Sequence, residues 1–213
     1  MSNVFDEIAD DLRREKLTRF WRENGSWIVG GIVLAVVLTA VLSFWRQWEH
    51  KRDMAATAEL SRVAALNDRA LLEQFAAGAP QDQAMIARMI AAAAYADAGE
   101  VDKAVALYTA VAAEKGIDST YRDLATLYSV NLRADSADAA LLRQELAPLV
   151  VDKAPWRYTA LELDALLAAK QGEMAAAVAA LAKIAADPAA PADARARAFT
   201  LRELYVAEQG GKQ

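Results

Sequence analysis

The sequence predicts an all-α protein in which a single N-terminal transmembrane helix is followed by an α-solenoid of short helical hairpins. Three observations predict this fold: a long apolar run near the start, a composition rich in Ala and Leu but poor in Gly and Pro, and chain breaks at nearly constant spacing. We divide the chain into an amphipathic cytoplasmic segment (1–26), a transmembrane helix (27–45), a membrane-proximal helix (46–79) and a domain of repeated helical hairpins (80–213).

The first segment has apolar residues at roughly helical spacing. Its first half is acidic and its second half is basic, so the basic half is expected to lie near anionic lipid while the acidic half faces away from it. A solvated tail that only sets the topology is the alternative. The apolar positions are Phe5, Ile8, Leu12, Leu17, Phe20 and Trp21.

The apolar run extends from Trp27 to Trp45 and contains no charged residue. Its 19 residues form about 28 Å of helix, which is close to the hydrocarbon thickness of a bilayer. A tryptophan at each end is typical of the membrane–water interface. A cleaved signal peptide is disfavoured because no A-x-A-like site follows the run, and a buried core helix is disfavoured by its length. The run is therefore predicted to span the membrane once.

Basic residues predict the orientation of this span. Five Lys or Arg residues lie within 15 residues before the run and three lie within 15 residues after it. Because Lys and Arg concentrate on the cytoplasmic side, the N-terminus is predicted to be cytoplasmic. In a bacterial inner membrane the C-terminal domain would then be periplasmic.

Small residues recur at every fourth position within the predicted span. They would form a ridge on which a second helix could pack closely, which makes them candidate partner contacts. Chance is the alternative, because small residues are common in such helices. The ridge consists of Gly31, Ala35, Thr39 and Ser43.

The chain after the span is punctuated regularly. Turns are predicted at 99–100, 133–136 and 171–173, and a second set of breaks falls between them near 116, 154–155 and 188–191. The segments between breaks carry helical apolar patterns, and each is expected to bury its patterned face. One such pattern comprises Ile117, Tyr121, Leu124, Tyr128 and Leu132; another comprises Trp156, Ala160, Leu163 and Leu167. About three stacked hairpins are predicted.

Residues 92–112, AAAYADAGEVDKAVALYTAVA, resemble the central stretch of a tetratricopeptide repeat. The small residues would let two helices approach closely, while the tyrosines fill the gap to the next hairpin. The second hairpin departs from the pattern, because its turn lacks glycine and Pro148 lies late in its second helix. The residues that match are Ala92, Tyr95, Gly99, Ala104 and Tyr108 in the first hairpin, and Ala165, Gly172, Ala177 and Leu181 in the third.

A narrower resemblance involves the residues around the span: Glu23-Asn24-Gly25 before it, Gly30 within it, and Trp45-Arg46-x-Trp48 after it. With the long helix and degenerate repeats that follow, the chain resembles the YfgM-like family, the ancillary subunit of the SecYEG translocon. This resemblance implies an inner-membrane protein whose periplasmic domain binds chaperones or emerging secreted proteins.

Residue types argue against several other functions. The net charge of −5 provides no basic surface for nucleic acid, and the chain has no cysteine and only one histidine, His50. Acidic residues are interspersed with Lys and Arg, as on a solvated helix face. Metal-ligand spacings and phosphate-binding loops are absent from the sequence. We therefore predict no enzymatic activity, no cofactor and no small-molecule substrate.

A membrane-tethered protein–protein interaction module is the function that these observations favour. The resemblance to the YfgM-like family implies that its partners are translocon subunits, periplasmic chaperones or client proteins. The alternative is a structural scaffold or assembly factor for another inner-membrane complex.

Overall fold

The computed structural model describes residues 51–210, together with Thr39, residues 43–45, Gln47 and Trp48. The chain divides into two compact units, residues 1–55 and residues 56–213. Within the second unit, residues 56–65 are helical and are called α1. The later helices are α2 (Arg69–Gly78), α3 (Gln81–Asp97), α4 (Val101–Ala113), α5 (Ser119–Arg133), α6 (Ala139–Leu146), α7 (Arg157–Lys170), α8 (Met174–Ala186) and α9 (Ala192–Gly210), with a 3-10 turn at Ala147–Leu149 after α6.

Local chemistry explains where these helices begin and end. Asp68, Asp118 and Asp138 each precede a helix, and each carboxylate accepts a hydrogen bond from a backbone amide of the first turn. Gly99 and Gly172 end α3 and α7 with φ angles of +77° and +83°, a conformation that residues with a Cβ rarely adopt. The described elements of the chain are therefore all helical, which confirms the predicted all-α class.

The core consists of four apolar clusters arranged in chain order. The first joins α1, α2 and α3, the second joins α3, α4 and α5, the third joins α5, α6 and α7, and the fourth joins α7, α8 and α9. The helices α3, α5 and α7 each contribute to two clusters. Because each hairpin shares a helix with the next cluster, the core is continuous even though no hairpin could bury its apolar face alone.

Hydrogen bonds between neighbouring hairpins connect residues about one repeat apart. Trp156 Nε1 donates to the Thr120 carbonyl at 2.9 Å and Lys170 Nζ donates to the Ala134 carbonyl at 3.0 Å; both pairs are 36 residues apart. These contacts have the spacing expected of a helical-repeat protein.

The membrane-proximal helix predicted over 46–79 is wrong as a single helix. The chain turns at residues 66–68, where Asn67 adopts a φ of +50° and Asp68 caps the start of α2. Asparagine tolerates this left-handed conformation better than most residues, so the turn needs neither glycine nor proline. As a result α1 and α2 share a cluster that includes Leu60, Val63 and Leu72, and form a hairpin in addition to the three predicted.

Most of the predicted transmembrane segment 27–45 and all of the amphipathic segment 1–26 lie outside the described residues. In the part of the chain that the structure describes, no helix has the length and apolar character needed to cross a bilayer.

Candidate functional site

A groove lined by aromatic and aliphatic side chains runs over α3, α5, α7 and α9. It consists of two adjoining cavities of about 370 Å³ and 490 Å³, and Leu124 and Tyr128 line both of them. We call this surface the aromatic groove. Besides the two shared residues, its principal lining residues are Met85, Ile86, Met89, Tyr108 and Tyr121 in the first cavity and Trp156, Leu163, Leu166 and Leu201 in the second.

Helix α5 lies at the centre of this groove and presents two tyrosines to it. Tyr121 is 43% exposed and Tyr128 is 45% exposed, and the two are seven residues, or nearly two helical turns, apart. The sequence pattern predicted that these tyrosines would be buried, and that prediction is wrong. The buried side chains of α5 are instead Ala125, Leu127, Ser129 and Val130.

The difference has a physical reason. Since α5 packs on α4 and α6 and lies beside α3 and α7, small and aliphatic residues fill its enclosed sides. Tyrosine combines an apolar ring with a hydroxyl that prefers water, so it suits a wall that is half exposed. Helical periodicity alone does not distinguish such a wall from the core.

Tyr108 anchors one side of the groove. Its ring stacks on that of Tyr128, with centroids 5.2 Å apart and planes inclined by 25°. Tyr108 itself is only 4% exposed, and burial is the main reason that its pKa rises to about 12. The phenol is therefore neutral at physiological pH, and its ring gives Tyr128 a fixed aromatic surface to stack on.

Trp156 forms part of the second cavity, immediately before α7. Its indole N–H donates to the Thr120 carbonyl on α5 at 2.9 Å, so the ring is fixed in orientation. This residue belonged to a predicted apolar pattern, but nothing in that pattern indicated that the indole would also connect two hairpins.

An ionic cluster borders the second cavity. Arg197 on α9 donates to Glu162 on α7 at 3.1 Å and to Asp193 one turn earlier at 2.8 Å. These contacts, led by Glu162, raise the pKa of Arg197. Glu162 also lines the cavity, so the apolar floor of the groove has a charged border here.

The repeat-packing residues predicted from the sequence lie mainly in the core. Ala92, Ala104, Ala177 and Leu181 are fully buried, and Gly99 and Gly172 occupy the hairpin turns. Their part in the fold is packing, and among the predicted repeat-packing residues Tyr108 alone lines the aromatic groove.

Tyr95 makes a polar contact that the repeat pattern did not indicate. Its hydroxyl donates to Glu73 on α2 at 2.6 Å, and this hydrogen bond is the largest cause of its raised pKa. Tyr95 thus contacts the preceding hairpin, whereas Tyr108 contacts the following one.

The predicted ridge of small residues is only partly described. Thr39 and Ser43 are helical and exposed, while Gly31 and Ala35 lie outside the described residues. Helix contact through this ridge stays a prediction.

Comparison with known proteins supports the repeat architecture. Residues 18–196, most of the chain, match the family described as tetratricopeptide repeat-like domain. The chain belongs to this family. Proteins with such repeats are typically protein–protein interaction modules, since stacked hairpins present an extended surface to a partner. No curated protein and no solved structure matches the chain significantly.

Proposed function

We propose that the protein is a membrane-tethered, non-catalytic interaction module that binds partner proteins in the aromatic groove. The observation that carries this proposal is the exposure of Tyr121 and Tyr128 on the central helix of a groove that spans several hairpins. Aromatic side chains provide a large contact area and lose little conformational entropy on binding, and they are enriched where proteins bind each other.

The tether in this proposal is the apolar run at residues 27–45, with the N-terminus in the cytoplasm and the repeat domain in the periplasm of a bacterial inner membrane. The length of the run, its terminal tryptophans and the excess of Lys and Arg before it support this arrangement. The family match begins at residue 18 and so includes the run. Fixing the groove near the membrane would raise the effective concentration of any partner located there.

The partners that we propose are translocon subunits, periplasmic chaperones and emerging secreted proteins, following the resemblance to the YfgM-like family. The groove chemistry is compatible with such partners. An apolar floor with few charged groups suits the hydrophobic stretches of a chain that has not yet folded, and the border of Glu162 and Arg197 could pair with flanking charges.

Site-specific photocrosslinking in the native membrane tests this proposal. A photoreactive residue replaces Tyr128 in the full-length chain, and the matched control replaces Leu141, which is 57% exposed on α6 and does not line the groove. We expect adducts with translocon subunits, chaperones or nascent secreted chains from position 128 and few from position 141.

Two results would contradict the proposal. Equal crosslinking from both positions would show that the groove has no special role in binding. Adducts with a single stable complex unrelated to secretion would instead support the scaffold function. The orientation is tested separately, because a C-terminal reporter that is active only in the cytoplasm should be silent.

A further inference from the structure

The last helix, α9, has an exposed stripe on the side away from the aromatic groove. Ala198 and Tyr205 belong to the fourth cluster, and Ala194 on the same face of α9 is also buried. Phe199 and Val206 lie on another face and are 52% and 46% exposed. Two apolar side chains on one helix face are thus left in solvent.

In the earlier hairpins, this side of each odd-numbered helix is covered by the helix that follows it. The clusters show α4 packed on α3, α6 on α5 and α8 on α7. Among the described residues, no helix follows α9. The stripe is therefore where the next helix of the solenoid would pack, and an isolated helix of matching chemistry could take that place.

The charges on the stripe indicate which helix could pack on it. Arg202 and Glu203 lie at its middle, between Phe199 and Val206, and Arg195 lies near its N-terminal end. If a second α9 packs antiparallel, Phe199 meets Val206 of the second copy and Arg202 meets Glu203 of the second copy. Arg195 then lies near the C-terminal end of the opposite helix, where the helix dipole favours a positive charge.

A parallel pair in the same register would instead place like charges together, Arg202 against Arg202 and Glu203 against Glu203. The stripe is thus self-complementary only in the antiparallel arrangement, as a twofold-symmetric interface requires. We propose that α9 is a homodimerisation surface and that its occupant is α9 of a second copy of this chain.

The isolated subunit already satisfies the charges of this surface locally. Arg202 contacts the adjacent Glu203 and lies over the Phe199 ring, 5.0 Å from its centroid. In the dimer, the ion pair between Arg202 and Glu203 of one chain would be replaced by ion pairs between Arg202 and Glu203 of opposite chains. Phe199 and Val206 would become buried. The gain therefore comes from apolar burial, and the ion pairs set the direction and register of the helices.

The absence of cysteine from the chain allows a direct test of the register. The variants F199C and V206C are made separately in the full-length chain, purified in detergent and oxidised alone or after mixing. In the proposed register, position 199 of one copy lies about 10 Å along the helix axis from position 199 of the other, too far for a disulfide. Positions 199 and 206 of opposite copies are adjacent.

We expect disulfide-linked dimers only when the two variants are mixed. The control, L141C, carries its cysteine at an exposed position on α6 and should give no more linked dimer when mixed with either variant than it gives alone. Efficient linkage of F199C with itself would overturn the register, and a failure of the mixture to link more than the control would overturn the interface.

Charge exchange tests the same surface without cysteine. Arg202→Glu should raise the dissociation constant of the dimer by roughly tenfold, because two attractive pairs become repulsive. The double variant Arg202→Glu/Glu203→Arg should restore it. Light scattering across a concentration series measures the effect, and circular dichroism verifies that each variant is folded. A wild-type chain that stays monomeric throughout the series would refute the proposal, as would failure of the double variant to restore dimerisation.

Discussion

Replacing Trp156 with Phe should weaken the junction between the second and third predicted hairpins. The change keeps an aromatic ring before α7 but removes the indole N–H that donates to the Thr120 carbonyl at 2.9 Å. Trp156 is also partly buried against the third cluster, so the smaller phenylalanine ring makes fewer packing contacts there.

The size of the effect follows from what each partner loses. A single intramolecular hydrogen bond contributes about 1 kcal/mol net to stability. The Thr120 carbonyl lies in the first turn of α5, where it can also accept the amide four residues later, so it is not left without a partner. Because some packing is lost as well, we expect Trp156→Phe to lower the free energy of unfolding by at least about 1 kcal/mol, which in a domain of this size corresponds to a fall in Tm of at least roughly 2–4 °C.

The assay is thermal and urea unfolding of a fragment beginning at Met54, followed by circular dichroism. Tyr121→Phe is the matched control, since it removes a polar group from another aromatic residue of the groove, one that is 43% exposed. The control should unfold within about 0.5 kcal/mol of the wild type, as surface substitutions usually do. A Trp156→Phe variant as stable as the control would show that the indole contact does not couple the hairpins.

Further predictions concern the core, the pH response and the span. Ala104→Leu should destabilise the fragment by about 1–3 kcal/mol, because Ala104 is fully buried where α4 meets its neighbours; unchanged urea unfolding would refute this. Tyr108 has a folded-state pKa of about 12, above its ordinary value of 10, so the stability that its neutral form contributes is complete below pH 10 and is lost as the pH rises through 12. The wild type should therefore lose more stability over this range than Tyr108→Phe, and parallel curves would contradict the burial argument. The fragment beginning at Met54 should give a helical circular dichroism spectrum, and a strand-rich spectrum would refute the fold. Replacing Gly31 and Ala35 with Leu in the full-length chain should reduce co-purification with membrane partners, because close helix approach would be lost; equal recovery would dismiss the ridge.

The hairpin turns show which parts of the fold were accessible from the sequence. Gly99 and Gly172 marked their turns because the backbone there has a positive φ that favours glycine. The turn at Asn67 was missed, although Asn followed by the capping residue Asp68 is itself a turn signal. The missed turn concealed the hairpin of α1 and α2.

The groove was less predictable for a different reason. Tyr121 and Tyr128 share a helix face with Leu124, and periodicity assigned that face to the core. Whether a face is covered depends on helices one repeat away, which the local pattern does not include. The hydroxyl groups of the two tyrosines were the one local signal that this helix face is exposed to solvent.

Helix α6 has only eight residues before the chain continues as the 3-10 turn Ala147–Leu149, and we expect it to be the mechanically weakest part of the repeat domain. Its counterparts α4 and α8 each have 13 residues, so the second hairpin has less helix to resist separation from its neighbours. Because the hairpins are connected in series, a pulling force on the ends of the domain acts on every hairpin. If the chain is tethered to a membrane and bound to a partner as proposed, tension between the two should therefore make the array yield first around α6. The middle of the domain would then unfold and lengthen, while the hairpins on either side stay folded.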